Sequence, residues 1–126
     1  MNCYIGQDLW DANYLGYTKL SSLTRPGPVK TYVILDESAI TINDGFFAVN
    51  MAGFDPINLF SRAFVDAPAT FHDKAGSLSF ADGHSEIHKW RDPRTVKATL
   101  FQASPKNADV AWFLERSTAK LRNPTR

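Results

Sequence analysis

Phe71-His72-Asp73-Lys74-Ala75-Gly76-Ser77-Leu78-Ser79-Phe80-Ala81-Asp82-Gly83-His84-Ser85-Glu86-Ile87-His88-Lys89-Trp90 gathers all three histidines of a 126-residue chain, and its reading decides the fold. Asp82-Gly83 can occupy the two φ > 0 positions of a type I′ turn, and the residues on either side alternate, so the second half reads as a β-hairpin. Pairing Ala81 with His84 sets Phe80 opposite Ser85 and Leu78 opposite Ile87. On that register Leu78, Phe80 and Ile87 form the core face, while Ser77, Ser79, His84, Glu86 and His88 form the polar one.

Residue types leave two readings of the polar face open. His84, Glu86 and His88 stand at i, i+2 and i+4, and imidazole nitrogens with a carboxylate on one side of a strand are donors for a divalent metal. Alternating polar residues are equally what the solvated face of a one-sided antiparallel sheet carries. If Lys74-Ala75-Gly76 is a three-residue loop, Asp73, Ser77 and His88 form one cross-strand row. His72 then lies some four residues, about 13 Å, from Asp82 and bonds backbone at the hairpin edge.

Outward from this run, residues 18–23 read as a short helix stopped by Pro26-Gly27-Pro28. Thr31-Tyr32-Val33-Ile34-Leu35 reads as a central strand. Ile40-Thr41-Ile42 and Phe46-Phe47-Ala48-Val49 flank Asn43-Asp44-Gly45 as a second hairpin. Residues 50–68, with Gly53, Pro56 and Pro68, read as a long surface excursion. Alternation of Val96, Ala98 and Leu100 predicts a strand over 95–102. Ser104-Pro105 or Asn107 caps a last helix over 109–121, whose apolar stripe is Val110, Phe113, Leu114 and Leu121. The class is α+β in a single domain spanning 1–126: an antiparallel sheet with short flanking helices and a C-terminal helix.

Composition supports a real core, with 44% hydrophobic and 13% aromatic residues including Trp10, Trp90 and Trp112. A net charge of +1 gives no global field for nucleic acid or an anionic membrane. Arg116, Lys120, Arg122 and Arg126 read as the solvated end of the last helix. Cys3 is the only cysteine, which excludes an internal disulfide and a thiolate metal cluster, and its apolar segment Cys3-Tyr4-Ile5 points to burial. The chain has no Gly-x-Ser-x-Gly elbow, His-Glu-x-x-His helix or phosphate loop, and nothing supports a nucleotide cofactor. Asp36-Glu37 closes the expected central strand, and Asp44 and Asp82 sit in turns. Carboxylates with turn carbonyls make the oxygen cage that suits calcium.

His72, then nine residues, then Asp82-Gly83 resembles the signature of the prepilin-type processing-associated domain family, type II secretion pseudopilin-like proteins. The likeness extends to Arg25-Pro26-Gly27-Pro28, Leu35-Asp36-Glu37, Ile42-Asn43-Asp44-Gly45-Phe46-Phe47, Trp90-Arg91-Asp92-Pro93-Arg94-Thr95 and Trp112-Phe113-Leu114-Glu115-Arg116. It implies a pseudopilin-like head placed outside the cytoplasmic membrane, engaging protein partners of a secretion or pilus system, with a structural divalent ion. Calcium is favoured over zinc, and the candidate ligands are Asp36, Glu37, Asp44, His72, Asp82 and His84. Family members begin with an apolar helix of about twenty residues. This chain opens Met1-Asn2-Cys3-Tyr4-Ile5-Gly6 and shows no such run, so the expectation is a head without its anchor, without membrane insertion and with at most weak self-association. The alternative is a metal-dependent hydrolase of a small ester or lactone, in which the bound ion activates water and His84 and Glu86, or Glu37 as base, do the catalysis.

Overall fold

A computed structural model describes residues 1–6, 12–51 and 63–121. Three strands, β1 (Tyr32–Leu35), β2 (Ala75–Phe80) and β3 (Ser85–Lys89), form an antiparallel sheet in the order β1-β2-β3. Two helices follow, α1 (Pro93–Val96) and α2 (Ala108–Ser117), after an early 3₁₀ turn at Leu20–Ser22. The α+β architecture with a C-terminal helix is the one expected from the sequence.

The hairpin forms one residue out of the expected register. Its ladder pairs Ser79 with Ser85, Leu78 with Glu86, Ser77 with Ile87 and Gly76 with His88. The loop holds three residues, because the Phe80 N–H donates to the His84 carbonyl (2.9 Å) and the Gly83 N–H to the Phe80 carbonyl (3.0 Å). Of the loop residues only Gly83 is left-handed, at φ 95°. Asp82 uses its carboxylate to accept the His84 N–H (3.1 Å), a local bond that favours this longer turn over type I′. A one-residue slip exchanges the two faces. Ile87, expected in the core, is 64% exposed beside Ser77, and His84, Glu86 and His88 lie on the same side as Leu78 and Phe80.

Other expectations are corrected in the same local terms. Thr31-Tyr32-Val33-Ile34-Leu35 is an edge strand and not a central one, with Ile34 58% exposed. Beyond it the N-terminal segment adds bonds from the Asn2 N–H to the Val33 carbonyl (2.8 Å) and from Asn2 Nδ2 to the Tyr32 carbonyl (3.0 Å). Lys74-Ala75-Gly76 is not a loop: Asp73 (φ 50°) and Lys74 (φ 62°) turn the chain, and Ala75 and Gly76 already belong to β2. Ser77 therefore donates its hydroxyl to Asp36, Asp73 pairs with Lys89 (3.3 Å), and the row of Asp73, Ser77 and His88 does not form. Gly76 is required, since a Cβ there would come within 2.9 Å of the Ala69 carbonyl and 3.1 Å of the Trp90 ring.

The second hairpin does not form either. Ile40 and Ile42 are exposed in turns, while buried Thr41 ties the loop down by accepting the Ala67 N–H (3.2 Å). Phe47 bridges Asn2 and Val49 bridges Phe64. Where a strand is expected over 95–102, Asp92 caps α1 by accepting the Arg94 N–H (2.9 Å) with Pro93 in the first turn, and this start signal overrides the alternation. Asn107 caps α2 as expected, accepting the Asp109 N–H (2.8 Å). The helix ends at Ser117, where Thr118 turns extended and the chain runs back beside residues 13–15. The surface excursion expected over 50–68 falls largely outside the described residues, but Met51, Phe64 and Ala67 are core.

Val110, Phe113 and Leu114 of α2 fill the core. The Phe113 ring lies 5.7 Å from Tyr32, 5.1 Å from Phe47 and 5.1 Å from Trp90, measured between centroids. Cys3 is buried, and desolvation pushes its thiol up to about 11, so it is an inert core residue. Among the described residues no helix is long and apolar enough to cross a membrane.

Candidate functional site

Alternation along β3 projects His84, Glu86 and His88 toward one side, and the shifted register places them at the margin of the packed face. The His84 ring stacks on Phe80 with centroids 4.4 Å apart and planes 6° from parallel, and its Nδ1 contacts the Asp82 carboxylate. That hydrogen bond holds Asp82 below the usual carboxylate range. Glu86 lies between the two imidazoles, 3.7 Å from His84 Nε2 and 3.9 Å from His88 Nδ1. The His88 ring stacks on Trp112 at 4.0 Å and meets the edge of Trp90 at 5.0 Å. Arg116, one turn along α2, places its guanidinium 4.4 Å from the Trp112 ring centre.

Burial pushes His88 below the ordinary histidine value, and Arg116 and Arg91 add to that against Glu86 and Asp109. Burial thus favours the neutral form of the ring. Side-chain exposures of 38% for His84 and 41% for Glu86 put both at the surface, with His88 less exposed at 20%. The row therefore joins the hairpin to α2, and each imidazole has one face against an aromatic ring.

The acids lie elsewhere. Asp36 accepts from the Ser77 hydroxyl, Glu37 from the Thr41 hydroxyl (2.9 Å) and Asp44 from the Phe46 N–H (2.7 Å). Asp66, which the sequence reading overlooked, is buried and accepts the Ala48 N–H (2.7 Å). Its signal was an acid within the apolar run Val65-Asp66-Ala67-Pro68, a place where a charge needs a partner. Burial raises Glu37, with Asp66 and Asp44 adding repulsion, and burial with Asp44 raises Asp66.

Of the candidate ligands, Asp82 and His84 meet at the hairpin loop, and Asp36 and Glu37 leave β1 at the opposite end of β2. His72 stands before that same starting end, exposed, with its backbone N–H on the Ala75 carbonyl (3.3 Å). Six-residue β2 separates it from Asp82, about 20 Å at strand rise. The two ends of the His-x9-Asp-Gly spacing thus do not share a site. Among the described residues no three His, Cys, Asp and Glu side chains are grouped to hold a metal ion.

Comparison with known proteins adds no constraint: no family model, curated protein or solved structure matches the chain.

Proposed function

We propose that this chain is the head domain of a pseudopilin-like protein of a type II secretion or type IV pilus-type system, non-enzymatic and working by contact with protein partners outside the cytoplasmic membrane. The observation that carries this reading is the packing of the histidine run. His84 stacks on Phe80 within the hairpin and His88 on Trp112 joins the hairpin to the helix, which supports reading the stretch that resembles the family signature as scaffold. The three-stranded antiparallel sheet closed by a C-terminal helix suits such a head.

The hydrolase reading stands second. It is favoured by Glu86 lying between two imidazoles, where it would act as base with His84 beside it. Their exposure counts against it, because charges in water gain little from one another and nothing there excludes solvent from a reacting carbonyl.

A divalent ion enters the leading reading as what the family resemblance implies; Glu37, Asp44 and Asp66 feel one another electrostatically but, among the described residues, are not grouped to hold it by themselves. Their donors are oxygens, which suits calcium ahead of zinc. Glu37 and Asp66 have folded values above the ordinary acid range. Their favourable contribution is therefore present below the unfolded value and lost as pH rises through the folded one. Burial makes ionising either acid costly, and a nearby cation would relieve that cost.

One experiment tests both halves: the purified chain mixed with other pseudopilin heads of the same secretion system, in calcium and in chelator. In calcium, about hundredfold over its dissociation constant, the chain should melt about 5 °C or more higher and coelute with a partner head on a sizing column. An identical melting curve in chelator would remove the ion, and separate elution from every such head would remove the pseudopilin reading.

A further inference from the structure

Beside the end of β3 the surface sinks into a cavity of about 340 Å³, walled by Trp90, Pro93 and Val96 and ringed by Lys74, Arg91 and Lys97. We propose that this cavity binds a small polyanion, a molecule carrying two or more negative charges on phosphate or carboxylate groups and an apolar part that rests on the Trp90, Pro93 and Val96 wall.

Charge is the first argument. Among the described residues no carboxylate forms an ion pair with the side chains of Lys74, Arg91 or Lys97. The acids near them are already committed. Asp73 pairs with Lys89 (3.3 Å), and Asp92, which also lines the cavity, is held by Arg94 (2.7 Å) and lies below the usual carboxylate range for that reason. Asp109 is buried and occupied by the Arg91 and Asp92 N–H groups and the Thr95 hydroxyl. Three cations around one concavity in a chain of net charge +1 make a local field that the composition conceals.

Backbone order is the second. The cations come from three separate segments whose main chains are tied down. The Lys74 carbonyl accepts the Trp90 N–H (2.9 Å) while Lys74 itself sits in the left-handed region, the Arg91 N–H donates to Asp109 (3.0 Å), and the Lys97 N–H donates to the Arg94 carbonyl (3.3 Å). Their side chains therefore start from fixed points around the cavity, which lowers the ordering cost of converging on one ligand. Two lysines supply compact point charges and the guanidinium a planar fork, a combination that suits phosphate or paired carboxylates. The volume fits a small organic molecule.

The test is calorimetric titration of the chain with pyrophosphate and, separately, citrate at low ionic strength. Parallel titrations use a Lys74→Gln/Lys97→Gln variant, Arg91→Gln, and a Lys19→Gln/Lys30→Gln control that removes two charges elsewhere. Saturable one-to-one binding of at least one anion is expected. It should weaken by about tenfold or more in the cavity variants, stay unchanged in the control, and fall as salt is added. Preference for pyrophosphate assigns phosphate as the natural group and preference for citrate assigns carboxylate. Matched melting curves establish that the variants are folded, and Arg91→Gln carries the test if the lysine pair is not. Absence of saturable binding for both anions, or equal weakening in the control, would overturn the proposal.

Discussion

Asp109→Ala should cost about 4 kcal/mol or more and leave little folded protein, the largest single effect expected in this chain. The carboxylate is 1% exposed and accepts from the Arg91 N–H (3.0 Å), the Asp92 N–H (2.9 Å) and the Thr95 hydroxyl (2.6 Å). It thus ties the end of β3 and the start of α1 to the first turn of α2, where a negative charge also suits the helix dipole. Truncation leaves three donors without their acceptor, and each such loss costs about 1–3 kcal/mol when the group stays buried. Asp109→Asn keeps one acceptor oxygen and should lose distinctly less. Urea unfolding of the two variants measures this, and a loss below about 1 kcal/mol for the alanine variant would show that the three segments are held together by other contacts.

Phe113→Ala should come next, at about 3–5 kcal/mol. Its buried ring is the common neighbour of four others, with centroids 5.1 Å to Phe47, 5.1 Å to Trp90, 5.3 Å to Trp112 and 5.7 Å to Tyr32. Those rings come from β1, the segment after it, the end of β3 and α2 itself. Removing Phe113 opens a cavity that rigid rings on all sides cannot collapse to fill. The same urea series, read by tryptophan fluorescence and near-ultraviolet dichroism, should show lower stability together with loosened aromatic packing. A drop under about 1 kcal/mol would place the core elsewhere.

The elements that were legible in the sequence are those whose signals are local and unopposed. Asn107 ahead of an apolar stripe marked α2, and alternation around Asp82-Gly83 marked the hairpin. What failed was one residue of register. Asp-Gly serves a two-residue type I′ turn or, as here, the end of a three-residue loop, and the choice rests on a single side-chain bond from the His84 N–H to Asp82. That one step carried Ile87 out to solvent and brought His84, Glu86 and His88 to the aromatic margin. The alternation of Val96, Ala98 and Leu100 suggests a strand over 95–102, where the cap chemistry of Asp92-Pro93 starts a helix. The seam of His88 on Trp112 and the buried roles of Asp66 and Asp109 depend on contacts between segments far apart in the chain, which no local pattern encodes.

That the β3 row is scaffold and not a catalytic centre is tested most directly by measuring melting temperature and hydrolysis on the same samples of parent, Glu86→Ala and His88→Ala protein. Glu86→Ala should stay within about 0.5 kcal/mol of the parent, as surface substitutions do. His88→Ala should melt lower, because Trp112 loses its stacked ring. Neither should differ from the parent on a panel of small esters and lactones. A folded Glu86→Ala protein that has lost about a hundredfold of a hydrolysis the parent performs would contradict the scaffold reading and make the row an active site.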